Sequence, residues 1–228
     1  MNPKQRAAEA AIEHLHNETV IGLGTGSTAD YFLVALGEAL KTGRLRNVRG
    51  VPTSDQTERR AAHLGVPLVT LQQVAAVDVT VDGADEVDPN LDLIKGLGGA
   101  LLREKIVAQN SRALIIIADA SKRVSRLGEK APVPVEVTTF AHEVQVPFLT
   151  SLGAQPKLRR KPDGSTFVTD NGNLIYDCRF AGGIPDARAL ADALQRRAGV
   201  VETGLFLNMA RIAIVADESR VQTLRRPS

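Results

Sequence analysis

The sequence has 228 residues, 43% apolar and 24% charged, enough to bury a core as one large domain or two modest ones. A net charge of +2, 4% aromatic residues and no Trp argue against both a basic nucleic-acid footprint and a base-stacking platform. The lone Cys178 excludes an internal disulfide, and no apolar run approaches the roughly 20 residues a membrane-spanning helix needs.

Asn2-Pro3 reads as an N-cap followed by proline at the first helical position, opening a helix through Leu15. A short apolar strand, Thr19 to Leu23, breaks into Gly24-Thr25-Gly26-Ser27-Thr28 and continues as a helix through Leu40. Val48 to Val51 is a second strand, followed by Thr53-Ser54-Asp55 and a helix through Leu64; Leu68-Val69 is a short third strand. Val77 to Val81 alternates as a half-buried strand and ends in Asp82-Gly83-Ala84-Asp85-Glu86. After Lys95-Gly96-Leu97-Gly98-Gly99 a helix starts near Ala100. Leu114 to Ala118 is unbroken apolar sequence, as a central parallel strand buried on both faces requires, and it ends in Asp119-Ala120-Ser121-Lys122. Strands alternating with helices give a parallel sheet covered on both sides.

The pattern changes near Ala131. A strand at Val135 to Val137 and a helix around Phe140 to Leu152 precede strand-like runs punctuated by the hairpin signals Asp163-Gly164 and Asn171-Gly172. A helix near Pro185 and a strand at Val200-Val201 follow. The expected architecture is α/β: a parallel-sheet domain over 1–130 and 207–228, with a smaller α+β domain over 131–206. The strand Ile212 to Val215 returns to the large domain. Arg159-Arg160-Lys161 and Arg225-Arg226 read as solvated surface and a tail. His14, His16, His63 and His142 fall in helical stretches without ligand-like pairing, and Cys178 reads as a small packed residue.

Ligands of an open α/β sheet bind beyond the carboxyl ends of its strands, and four polar loops, Gly24 to Thr28, Thr53 to Asp55, Asp82 to Glu86 and Asp119 to Lys122, are well placed to meet there. The loop Gly24 to Thr28 suits a phosphate, since glycines let backbone amides approach an anion at a helix start. A tight turn without ligand is the plain alternative. The spacing is not G-x-G-x-x-G, and Thr53-Ser54 stand where a dinucleotide site needs an acid. Asp82 and Asp85 either exchange protons with sugar hydroxyls, bind a metal, or sit in a solvated turn; Lys95 nearby argues against the metal. Glu104 shares a helix face with Leu101 and Ala108, and partial desolvation there would raise its pKa toward that of a general base. Helix position alone nevertheless favours a surface glutamate paired with Arg103 or Lys105. Lys122 either caps an anion or begins a helix.

Taken in order, Gly22 to Thr28, Asp82 to Glu86, Lys95 to Lys105, Ala118 to Lys122, Val168 to Asn173 and Gly204-Leu205-Phe206 resemble the type A ribose-5-phosphate isomerases along nearly the whole chain. The resemblance implies a Rossmann-like catalytic domain and a small ferredoxin-like α+β domain. It implies an aldose–ketose isomerase of the non-oxidative pentose phosphate pathway, with no metal or organic cofactor, working as a homodimer or homotetramer. The single cysteine and the lack of a signal-like or membrane-spanning run read as cytoplasmic, and the scattered charge and few aromatics leave no nucleic-acid or membrane partner. Thr25, Gly26, Ser27 and Thr28 would contact substrate, with phosphate on Ser27 and Thr28 and help from Lys4. Asp82, Gly83, Ala84, Asp85, Lys95, Gly96, Leu97, Gly98 and Lys122 would line the sugar site, and Glu104 falls at the catalytic base. Two residues depart from the family pattern: Leu97, often glycine, and Leu102, often threonine. The rival functions are an NAD-linked oxidoreductase, a sugar-phosphate sensor, and an isomerase or deaminase for another sugar phosphate.

Overall fold

Asn2 caps the first helix by accepting the Lys4 N–H, and Pro3 opens it. A computed structural model describes residues 2–17 and 19–226. In chain order the elements begin α1 (Pro3–Ile12), β1 (Val20–Leu23), α2 (Ser27–Lys41), β2 (Arg49–Pro52), α3 (Asp55–His63) and β3 (Val79–Gly83). There follow β4 (Glu86–Val87), β5 (Leu93–Ile94), α4 (Leu101–Gln109), β6 (Leu114–Asp119), β7 (Val133–Val137) and α5 (Gln145–Ser151). The chain ends with β8 (Ala154–Leu158), β9 (Leu174–Phe180), α6 (Ala187–Gln195), β10 (Val200–Thr203), β11 (Leu205–Phe206), β12 (Ala210–Ala216) and β13 (Val221–Arg225).

These elements form two units, 1–84 with 103–122 and 209–228, and 85–102 with 123–208. The first holds a six-stranded sheet ordered β13-β12-β6-β3-β1-β2, parallel except for β13. Its core joins Ala7, Ala8, Ala11 and Ile12 of α1 and Phe32, Leu33 and Leu36 of α2 to Ile21, Leu23, Val81, Ile115 and Ile117 of the sheet. The apolar run 114–118 is buried throughout, as a central parallel strand should be. This is the parallel sheet expected from the alternating pattern, and the Rossmann-like domain that the resemblance implies.

The second unit runs β7-α5-β8-β9-α6-β10 with antiparallel sheet order β10-β7-β9-β8, the split βαβ topology of ferredoxin-like domains. Val133, Val135 and Val137 of β7 pack with Leu149 of α5 and Leu190 and Leu194 of α6. A separate three-stranded sheet, β11-β5-β4, belongs to the same unit. The boundaries therefore differ from those expected: 85–102, 123–130 and 207–208 group with the smaller unit. The cause is local. Leu205 pairs with Ile94, and the Glu86 carboxylate accepts the N–H groups of Gly128, Lys130 and Ala131, each at 2.6 Å.

Other readings shift at their edges. Helix α1 ends at Ile12, so His14 and His16 lie beyond it. The expected helix from Phe140 is shortened because Ala141 has φ 48°, with a 3₁₀ turn at His142–Val144 before α5. Leu68 makes only an isolated bridge to Gly50. Arg225 lies in the edge strand β13 rather than in a tail.

Candidate active site

In the first sheet β1 lies between β2 and β3, so the chain steps outward to β2 and then returns across β1 to β3. That reversal is the point where an open α/β sheet leaves a crevice beyond its strand ends. The loops leaving β1 and β3 there are 24–26 and the segment beginning at Ala84.

The glycine loop is built by close approach. Gly24 runs so near β3 that a Cβ on it would lie 2.6 Å from the Cα of Asp82. Gly26, at φ 118°, caps α2 in a conformation that disfavours side chains, and a Cβ there would meet nothing within 4 Å. The loop is held from below by hydroxyls. Thr25 Oγ1 donates to Ser54 Oγ at 2.9 Å, Ser54 to Thr57 Oγ1 at 3.0 Å, and Thr57 to the Gly24 carbonyl at 3.0 Å. Thr53 Oγ1 lies 2.8 Å from Thr25 Oγ1 and donates to the Leu23 carbonyl at 2.8 Å. Thr53, Ser54 and Thr57 are all buried. The residues that replace the dinucleotide-binding acid thus brace the loop, which removes the NAD reading's ribose contact. Thr25 itself serves this brace. Above it, the first-turn amides of α2 lack intrahelical acceptors and attract an anion. Lys4 Nζ donates to Ser27 Oγ at 2.9 Å, bringing a cation to the same helix start.

Asp82 is buried, and its Oδ1 accepts the N–H of Thr25 at 3.1 Å and of Gly83 at 2.7 Å. The end of β3 is thereby locked to the glycine loop. Gly83 and Ala84 follow, half-buried. Lys122 closes a 3₁₀ turn after β6, whose start is capped by Asp119 accepting the Ser121 N–H at 3.0 Å.

Asp85, Lys95, Gly96, Leu97 and Gly98 belong to the second unit. Asp85 donates its N–H to the Ile94 carbonyl at 2.8 Å, and its Oδ2 accepts the Leu97 N–H at 3.0 Å. Lys95 is 3% exposed; its N–H donates to the Gly204 carbonyl at 2.9 Å and its ammonium stands 5.4 Å from the centre of the Phe206 ring. Gly96 and Gly99 adopt φ 99° and 86°, whereas Leu97 does not enter the left-handed region, so the backbone accepts this departure from the family pattern.

Glu104 is 3% exposed, and Leu101 and Ala108 on its helix face are buried. The surface position expected from the helix is therefore not found: Glu104 and Lys105 are both buried, and Arg103 pairs with Asp55 at 2.6 Å. Burial beside Leu101 and Ala108 is an environment that suits a general base.

Among the described residues no group of three or more His, Cys, Asp or Glu side chains could hold a metal ion. Two residues escaped the sequence reading. Glu86 is a buried structural anchor, signalled only by its place beside Asp85. Arg159, expected in a solvated run, has a side chain only 10% exposed and paired with Asp177.

Residues 49–220 match the family model for ribose 5-phosphate isomerase A, also described as phosphoriboisomerase A. A relative from Roseiflexus castenholzii, called ribose-5-phosphate isomerase A, is 50% identical over 224 residues, covering 98% of this chain and 95% of its own. The chain belongs to the ribose 5-phosphate isomerase A family. Solved structures agree. A D-ribose-5-phosphate isomerase in complex with phospho-erythronic acid is 42% identical, with TM-score 0.96, covering 99% of this chain and all of its own. The ribose 5-phosphate isomerase of Plasmodium falciparum is 40% identical with TM-score 0.95, covering 99% and 98%.

Proposed function

We propose that the chain interconverts D-ribose 5-phosphate and D-ribulose 5-phosphate through an enediolate, in the non-oxidative pentose phosphate pathway. The observation that carries this is 50% identity to a ribose-5-phosphate isomerase A along 98% of the chain. The phospho-erythronic acid in a related structure supports it, since that ligand joins a phosphate to a planar carboxylate shaped like an enediolate.

The phosphate sits on the amides of Gly26, Ser27 and Thr28, with Lys4 and Lys122 adding positive charge. Holding that end positions the reacting carbons. Asp82 or Asp85 exchanges a proton with the ring oxygen or anomeric hydroxyl and opens the furanose. Glu104 then removes the proton from C2 of the aldose and returns it to C1, while the C2 hydroxyl proton passes to O1 across the enediolate, giving the ketose. Lys95 stabilises the oxyanion that develops between these two transfers, and Gly83, Ala84, Gly96, Leu97 and Gly98 line the sugar. Lys95 is placed to supply the positive charge, and, as the family resemblance implies, the reaction uses no metal or organic cofactor. The enzyme acts in the cytoplasm as a homodimer or homotetramer.

The test mixes purified protein and ribose 5-phosphate with a chelator and follows ribulose 5-phosphate. Product formed at the same rate with and without chelator supports the reading. No product refutes the reaction, and product only without chelator refutes the metal-free mechanism.

A further inference from the structure

Arg159 engages the 95–98 segment from within the second unit. Its Nε donates to Asp177 Oδ2 at 2.9 Å and its Nη2 pairs with Asp177 Oδ1. Its Nη1 donates to two successive carbonyls, Gly96 at 2.9 Å and Leu97 at 3.1 Å. The guanidinium carbon stands 5.7 Å from the centre of the Phe167 ring, and a Cβ on Gly99 would run into that ring. The segment is therefore fixed by its carbonyls and by the ring under Gly99.

Carbonyl contacts fix amide directions as well. In a trans peptide the C=O and the following N–H point opposite ways. Holding the Gly96 carbonyl turns the Leu97 N–H toward Asp85, where it is found. Holding the Leu97 carbonyl turns the Gly98 N–H away from the guanidinium. That amide has no acceptor among the described residues, and Gly98 is exposed.

We propose that Arg159 is a positioning residue for the isomerisation: it aims the Gly98 amide at the substrate without touching the substrate itself. The inference rests on reading 95–98 as part of the sugar site. A guanidinium can grip a carboxylate with one edge while another nitrogen holds two carbonyls. A lysine ammonium, three donors on a single atom, cannot span both.

The test uses full-length Arg159→Lys, with Asp177→Asn as a second, gentler loosening of the same fork. Each is read by kcat, KM, melting temperature and hydrogen exchange of peptides covering 95–99. Arg159→Lys should lower kcat by about tenfold or more, toward the 10²-fold that a 1 Å misplacement can cost. KM should stay within about threefold, since the phosphate site lies elsewhere. Exchange at 95–99 should rise, and Asp177→Asn should fall between wild type and Arg159→Lys. Wild-type kcat with faster exchange would overturn the inference, as would a kcat loss that disappears on cooling well below the melting temperature. Lys95→Ala separates the two claims. Unchanged kcat there sinks the reading of the segment and the inference with it. Lowered kcat there, with normal Arg159→Lys, sinks the inference alone.

Discussion

Gly24→Ala probes how the site is assembled. Gly24 does not adopt positive φ, so its own backbone tolerates alanine. The new methyl would instead lie 2.6 Å from the Cα of Asp82, where carbon atoms prefer about 3.5–4.0 Å. A Cα cannot rotate aside, so β1 and β3 must part locally by about 1 Å. Overpacking of this kind costs about 1–3 kcal/mol. The hydrogen bond from the Thr25 N–H to Asp82, 3.1 Å long, would stretch or break, adding about 1.5–3 kcal/mol for a charged acceptor. A total near 3–5 kcal/mol lowers the melting temperature by about 10 °C in a chain of this size. Displacing the phosphate loop by the same distance should lower kcat/KM by about 10²-fold. Thermal melts and an assay of ribulose 5-phosphate formation measure both. A variant melting within about 2 °C of wild type with kcat/KM within about twofold would refute the close-approach argument.

Three further expectations concern the frame around the site. Glu86→Gln replaces one carboxylate oxygen by an NH₂ facing a buried N–H, so urea denaturation should show a loss of about 2–4 kcal/mol. Burial pushes the Cys178 thiol up to about 12, leaving about one thiolate in 10⁴ at pH 8, so a thiol reagent should label it only on unfolding; fast labelling of the native protein would contradict this. The Asp217 carboxyl is held below its usual range chiefly by the Ser219 hydroxyl, with the N–H groups of Arg220 and Ser219 adding to it. A depressed folded pKa gives stability present above the unfolded pKa, about 3.9, and lost as pH falls through the folded value. Asp217→Ala should therefore melt lower than wild type at pH 7, and the gap should narrow below pH about 4; a pH-independent gap would refute the assignment.

The parallel sheet was legible because its strands carry the strongest local signal: 114–118 is apolar at every position and buried at every position. The cap at Asn2-Pro3 and the start of α2 after Gly26 were legible for the same reason, being set by neighbouring residues. The boundary of the smaller unit was not. It depends on Glu86 reaching amides 42 to 45 residues away and on Leu205 meeting Ile94, contacts that leave no periodic trace. Short strands such as β4, β5 and β11, two residues each, are too brief for a period to register. Within the candidate site, residue types in loops were readable, but their division of labour was not. The Thr25 hydroxyl also completes a brace with Thr53, Ser54 and Thr57, which no spacing in the sequence signals. Glu104 on helix position alone favoured the surface, and its burial depends on tertiary packing. Arg159 sat in a run of three cations, and only β9 supplies the Asp177 that draws it inward.

The account turns on the Glu104 carboxylate as the group that carries the proton between C2 and C1. The most direct measurement compares Glu104→Gln with wild type in two assays: turnover of ribose 5-phosphate, and binding of phospho-erythronic acid by calorimetry. Loss of turnover by about 10²–10⁴-fold with binding retained is the predicted result. Turnover near that of wild type would contradict it.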